Sequence, residues 1–304
     1  MPHISRRAGA LTLIVAVLLT TALAPTTGAT NPGRNGRIAF QAPTDNGTQI
    51  FTIRSDGHDL RQISHVDGNA ANLDWSPDGR RIAFAVDECS IAVIDADGTN
   101  FELLASDPDL CQADPVFSAD GERIVYERYD PAIDLDAIWS MKVDGSDKQL
   151  LTLAGGADPN VSPDGTRVSF KAGPVGALHV QNLDGSGLHQ ATPDWEIGFK
   201  HDWAPDASRI VISDNAEPGP DDPVNIATVR PDGTGLRFLT HYEGPIRAYI
   251  GSYSPDGKYL VFRLEKDGLY SVYRMRTDGS HLHRILGPST LLPRSIDWGP
   301  APSS

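Results

Sequence analysis

A short motif that returns six times constrains this chain more than any other feature. An aromatic or apolar residue is followed by Ser-Pro-Asp-Gly or a near variant: WSPDG from Trp75, FSADG from Phe117, VSPDG from Val161, WAPDA from Trp203 and YSPDG from Tyr253. A truncated copy, WGP, begins at Trp298, and the successive spacings are 42, 44, 42, 50 and 45 residues. A second element recurs with the same count: an Asp-Gly pair at Asp56, Asp97, Asp144, Asp184, Asp232 and Asp278, each leading into a short apolar run. Two independent markers that agree in number and period define an internal repeat, and the repeat unit has to be the structural unit.

Each unit reads as four strands. The first ends at the aromatic, and the second follows the turn, as in RRIAFAV from Arg80 and KYLVFRL from Lys258. The third carries alternation, as in SIAVIDA from Ser90, and the fourth follows the Asp-Gly pair, as in LRFLT from Leu236. Proline presets φ in the first turn and glycine accepts a positive φ, while Asp-Gly suits a tight hairpin. No segment combines a helical period with caps. A lone four-stranded sheet leaves two apolar faces open, and radial stacking of such sheets buries both. The expected fold is therefore all-β, a six-bladed β-propeller of four-stranded antiparallel blades. The first copy starts at GRIAFQ from Gly36, already at a second strand, and the chain ends on SIDWGP from Ser295, the missing first strand. The two ends are expected to share one closing blade.

The copies resemble the TolB-like β-propeller repeat, whose pattern is aromatic-SPDG, an IAF-type strand, an IYV-type strand, then DG and LT. WSPDGRRIAF from Trp75, YSPDGKYLVF from Tyr253 and the Leu-Thr endings at Leu151 and Leu239 carry the resemblance. It spans essentially the whole chain after the leader, 30–304. TolB has an N-terminal α/β domain before its propeller, whereas here the first blade is expected to start just after the leader, which argues against transferring TolB's own envelope role. The fold hosts binding modules and enzymes alike, so the resemblance implies architecture rather than activity.

The first 29 residues read as a secretory signal peptide. Arg6 and Arg7 are followed by a 14-residue apolar run, Leu11 to Ala24, and by small residues to Ala29. The run is shorter than the ~20 residues a membrane span needs. SRRAGAL from Ser5 partly resembles a twin-arginine signal, so both export routes stay open. Losing this leader moves the formal charge from −14 to −16, since two arginines leave and no acid does. So acidic a chain repels phosphate backbones, which excludes nucleic acid as a partner. No second apolar span follows, and the protein is expected to be secreted, extracellular or held in the periplasm or envelope, as a monomer. Cys89 and Cys111, 22 residues apart, are expected to pair in an oxidising compartment, with free thiols or a redox pair as the alternatives.

G-x-S-x-G is absent, and the recurring turn serines are turn residues rather than nucleophiles. DADGTNFE from Asp95 resembles the start of a calcium loop, but Asp97 and Gly98 are the repeat's own turn. His281 and His283 fall at exposed hairpin positions. The segments leading into each first strand line the channel in a propeller, and they carry Asp74, Asp114, Asp158, Asp202 and Asp297 together with Lys200, His201 and His241. These eight form the candidate binding mouth, with Arg247 and Arg294 nearby. Asp74, Asp202 and Asp297 each precede the repeat tryptophan, which points to a structural job such as bonding to neighbouring backbone. No cofactor is expected; a divalent cation in the channel would need His65, His201 and His241. Two acid- and proline-rich insertions, from Tyr129 and from Asp214, lie between second and third strands. The reading that follows is a non-enzymatic binding or scaffold module recognising a protein, peptide or cell-envelope component through its channel-mouth loops. The alternative is a metal-dependent propeller enzyme of oligosaccharide lyase or lactonase type.

Overall fold

The computed structural model describes residues 32–302 except 88, 107–109, 131–134 and 153–154. The leader expected over 1–29 and part of the Tyr129 insertion lie outside the described residues. Six four-stranded antiparallel sheets make up the fold, and the described residues contain no helix. Blades 2 to 6 each take four consecutive strands. Blade 1 takes three strands from the N-terminal end, Asn35–Thr44, Gly47–Arg54 and Arg61–Gln62, and its inner strand Arg294–Pro300 from the C-terminal end. The closing pair sets Ile38 opposite Trp298 and Ala39 opposite Asp297. The inner strands of blades 2 to 6 are Ala70–Trp75, Gln112–Phe117, Ala157–Val161, His201–Trp203 and Arg247–Tyr253.

The apolar alternation of the strands is resolved between blades rather than inside them. Six buried clusters fill the six interfaces. Ile38, Phe40 and Ile53 of blade 1 meet Val261 and Val272 of blade 6, and Trp298 joins the same cluster. Trp75, Trp203 and Trp298 are all buried, each burying an area worth roughly 2–3 kcal/mol to the fold.

The Ser-Pro-Asp-Gly turn is a closed hydrogen-bond unit. Ser76 Oγ donates to Asp78 Oδ1 at 2.6 Å and accepts the Arg81 N–H at 2.9 Å, and Asp78 Oδ1 accepts the Arg80 N–H at 3.0 Å. Gly79 adopts φ +67°, and a Cβ there would lie 2.2 Å from the Pro300 carbonyl oxygen. Blade 5 places Ala207 at this position with φ +56°. An L-residue in that region costs roughly 1 kcal/mol, offset in part by the greater freedom glycine has in the unfolded chain. Ala207→Gly is thus expected to raise Tm by roughly 1–3 °C in a thermal melt. A melt unchanged or lowered would mean that blade 5 carries no strain there.

Cys89 and Cys111 are joined in a disulfide. It ties the turn between the second and third strands of blade 2 to the residue just before the inner strand of blade 3, where the chain enters the channel wall.

Candidate functional site at the channel mouth

Two positions of the inner strand divide the five candidate acids into two groups with different jobs. The residue directly before the aromatic latches one blade to the next. Asp297 Oδ2 accepts the Trp75 N–H at 3.0 Å, Asp74 Oδ2 the Phe117 N–H at 2.8 Å and Asp202 Oδ2 the Tyr253 N–H at 2.7 Å. Ser252 Oγ does the same for the Trp298 N–H at 2.8 Å, and Asn160 Nδ2 donates to the His201 carbonyl at 2.9 Å. Val116 occupies this position in blade 3 and has no side-chain acceptor to offer. Lys200 reaches across the channel from blade 5, its Nζ 3.4 Å from the Leu73 carbonyl oxygen and 3.8 Å from Asp297 Oδ1. Burial and the neighbouring Asp297 hold the Asp74 carboxyl well above the usual range, against Lys200 and the Phe117 N–H.

The position three residues before the aromatic sits in a β-bulge. Asn72, Asp114, Asp158 and Ser295 adopt φ of 52°, 49°, 50° and 44°, each beside a shift of register against the second strand. Asn and Asp tolerate this left-handed region best among residues with a side chain. The bulge turns Asp114 and Asp158 to the mouth of a cavity of about 660 Å³ inside the ring.

A third position contributes to that cavity and to the groups behind its acids. The residue after the aromatic of each second strand, or after Ile212 in blade 5, is Gln41, Ala85, Glu127, Lys171, Ser213 or Arg263, and of these Gln41, Ser213 and Arg263 line the cavity. The repeat keeps the aromatic nearly constant and lets the next residue run through neutral, acidic and basic types. Glu127 stands opposite Ala113, hydrogen-bonds to Asp114, and accepts the Asp158 N–H at 3.2 Å on Oε2. Burial and the neighbouring Asp158 push Asp114 up to about 8 against the hydrogen bond from Glu127, and burial, Asp114 and Asp136 push Glu127 up to about 8, so both carboxyls are largely protonated near neutrality. Asp158 is pushed up to about 7; burial outweighs the Lys171 ammonium 3.8 Å away. Lys171 also lies 3.3 Å from Glu196 Oε1 and 4.7 Å from the ring centre of Phe199, which is 61 % exposed at the rim of the cavity.

Basic and aromatic groups of blade 6 and the segment leading into the closing strand form the facing wall. Arg263 lies 4.3 Å from the ring centre of Tyr249 and 6.0 Å from that of Tyr270, and Nη1 donates to the Pro293 carbonyl at 3.2 Å. Arg294 lines the same cavity. Arg247 instead fixes the Asp214 insertion, donating from Nη2 to the Gly219 carbonyl at 2.8 Å, with Nη1 3.6 Å from Glu265.

The three candidate histidines do not meet. His201 is 2 % exposed, its Nε2 lies 2.8 Å from Ser169 Oγ, and burial pushes its pKa down to about 3, so the ring is neutral. His65 is exposed beside Gln62, and His241 packs near Phe238; neither lines the cavity. Among the described residues no three His, Cys, Asp or Glu side chains are grouped to hold a metal ion. The Ser169–His201 pair is not a hydrolytic dyad: Ser169 is fully buried and its Oγ already accepts the Trp203 indole N–H at 2.8 Å. Asp97 accepts both the N–H and the hydroxyl of Thr99, closing its hairpin rather than binding calcium. Sequence reasoning missed Glu127, Lys171, Arg263, Tyr249, Tyr270 and Phe199; the varied residue after the second-strand aromatic was the available signal for the first three.

No protein-family model matches the sequence, and the search of curated proteins returns no significant match. Solved structures do match in fold. TolB from Acinetobacter baumannii aligns with a TM-score of 0.69 at 18 % identity over 88 % of this chain and 67 % of that one. A chain of the nidogen/laminin complex aligns at 0.64 and 14 %, over 87 % and 98 %. Oligogalacturonate lyase from Vibrio parahaemolyticus aligns at 0.52 and 13 %, over 85 % and 77 %. The likeness establishes a six-bladed propeller of the kind TolB carries; at such identities it extends to the fold alone.

Proposed function

We propose that this chain is an exported binding module that holds a protein or peptide at the channel mouth. One observation carries the reading: acidic and basic walls face each other across a cavity of about 660 Å³ that is rimmed by an exposed aromatic, Phe199. A rigid ring presenting mixed charge and aromatic anchors has what recognition needs. The propeller in the nidogen/laminin complex supports it as the same architecture found in a protein–protein complex, and the disulfide fits a chain that works outside the reducing cytoplasm, in the envelope or beyond it.

The test is capture of envelope and culture-fluid proteins on the immobilised chain 30–304, beside a Phe199→Ala, Asp158→Asn variant of equal melting temperature. A small set of proteins retained by the wild type and reduced about tenfold or more by the variant is the expected outcome. Equal retention by both, or none by either, overturns it. So would one equivalent of a divalent ion in protein purified without chelators, with turnover of a uronate oligosaccharide lost on removing that ion; that outcome establishes the enzyme reading instead.

A further inference from the structure

Arg263 stands on the cavity wall as a cation without its anion. Guanidinium groups taken out of water are ordinarily paired with carboxylates, because the desolvation of a lone charge is costly. The ring centres of Tyr249 and Tyr270 lie 4.3 and 6.0 Å from this one, it hydrogen-bonds to Tyr249, and Nη1 donates to the Pro293 carbonyl. Nε has no acceptor, and no carboxylate lies within 4 Å of the group among the described residues. Glu265, two residues along its own strand and on the same cavity wall, acts on Arg263 from beyond ion-pair distance and is itself engaged by Arg247 at 3.6 Å. Arg294, which follows Pro293 and lines the same cavity, adds a second positive charge rather than a neutralising one.

The opposite wall has the complementary excess. Asp114, Glu127 and Asp158 are served by Lys171, which also attends Glu196, and by Lys200, which also attends Asp297. A ligand with a carboxylate on every unit, such as a polyuronate, would place anions against that wall. A peptide can present a carboxylate to one side and an ammonium or guanidinium to the other.

We infer that Arg263 and Arg294 form a carboxylate subsite for a peptide ligand of mixed charge, whose cationic group faces Asp114 and Asp158. The inference rests on the reading of the chain as a peptide- or protein-binding module. A guanidinium fork packed beside two tyrosine rings is positioned for the two oxygens of a carboxylate. The aromatic rings of Tyr249, Tyr270 and Phe199 give the ligand's aliphatic stems a surface to cover.

The experiment is binding to an array of 12-residue peptides, varying a Glu or free C-terminal carboxylate at increasing distance from a Lys, with trigalacturonate as a separate probe. Affinities of the best peptides are then measured in solution for wild type, Arg263→Gln and Arg294→Gln. Peptides with both charges are expected to bind best, with affinity down about tenfold or more in Arg263→Gln and roughly threefold in Arg294→Gln. Arg294 is exposed, so its substitution leaves folding intact and decides the matter should Arg263→Gln fail to fold. Peptide binding that ignores the carboxylate, or that is unchanged in Arg294→Gln and in a folded Arg263→Gln, sinks the subsite while leaving the binding module standing. Trigalacturonate binding without peptide binding overturns the peptide assignment, and no binding of any probe removes both.

Discussion

A chain ending at Leu292 is expected not to fold to a cooperative native state at 25 °C. The deletion removes the inner strand of blade 1, Arg294–Pro300, and opens the pairing of Ile38 and Ala39. It takes Ile296 and Trp298 out of a buried cluster that holds blade 6 against blade 1. It also removes both hydrogen bonds by which this strand joins the latch, Asp297 to the Trp75 N–H and the Trp298 N–H to Ser252. A buried tryptophan alone is worth about 3–5 kcal/mol when truncated to alanine, and a domain's whole stability is about 5–15 kcal/mol. A ring opened at one interface loses more than one blade, because each blade has no core of its own. Far-ultraviolet circular dichroism and limited proteolysis would show a broad, early transition and rapid cleavage. Trp298→Ala should lie between this and the wild type. Adding a synthetic peptide covering 293–304 in trans should restore part of the protection. A truncated chain melting within a few degrees of full length would mean that closure does not hold the ring.

That fold was legible because its signals are local and repeated. Ser-Pro-Asp-Gly and Asp-Gly state turn geometry in the residues themselves, and six copies average out the exceptions, Ala207 among them. Closure was legible for the same reason, since SIDWGP supplies the strand that GRIAFQ lacks. The role of Asp74, Asp202 and Asp297 could also be read, because the same acid recurs directly before all three repeat tryptophans. The mouth was only half legible. Asp114 and Asp158 were found as channel acids, but the bulge that turns them there is a feature of register, which no single strand declares. Glu127, Lys171 and Arg263 lie inside apolar second strands, where a polar residue reads as the outward half of an alternation. Only ring closure makes that side an interior. His65 and His241 failed for the opposite reason: their loops are near the channel in sequence, yet loop length does not fix which way a side chain turns.

Stability is expected to peak near pH 5 and to fall steadily toward pH 8. In the folded chain Asp114 and Glu127 titrate at about 8 and Asp158 at about 7, raised chiefly by burial, whereas the unfolded chain releases these protons near the ordinary carboxylate range around 4. Between those limits the native state holds protons that unfolding sets free, so raising the pH favours unfolding. Each such proton tilts stability by about 1.4 kcal/mol per pH unit, and because the three groups share a site the sum behaves as one or two protons rather than three. The acid limb has the opposite sign. Asp56, Asp97, Asp144, Asp184, Asp232 and Asp278 are lowered by hydrogen bonds from the residues that follow them in their turns. Their contribution is complete above the ordinary carboxylate range and is lost as the pH drops below it. Salt at about 0.15 M screens the long-range repulsion of a chain with formal charge −14, so the local groups dominate the comparison. Melting curves from pH 4 to 8.5 at that salt would show the peak. Asp114→Asn combined with Glu127→Gln keeps the shape of both side chains, and it should flatten the alkaline limb, raise Tm at pH 8 and leave the acid limb in place. A wild-type Tm that holds or rises from pH 5 to 8 would mean these carboxyls are ionised in the folded chain, with solvent or a cation compensating them at the mouth. The same fall in the double variant would instead place the titrating groups elsewhere, with Asp74, which Lys200 acts on, as the next to replace.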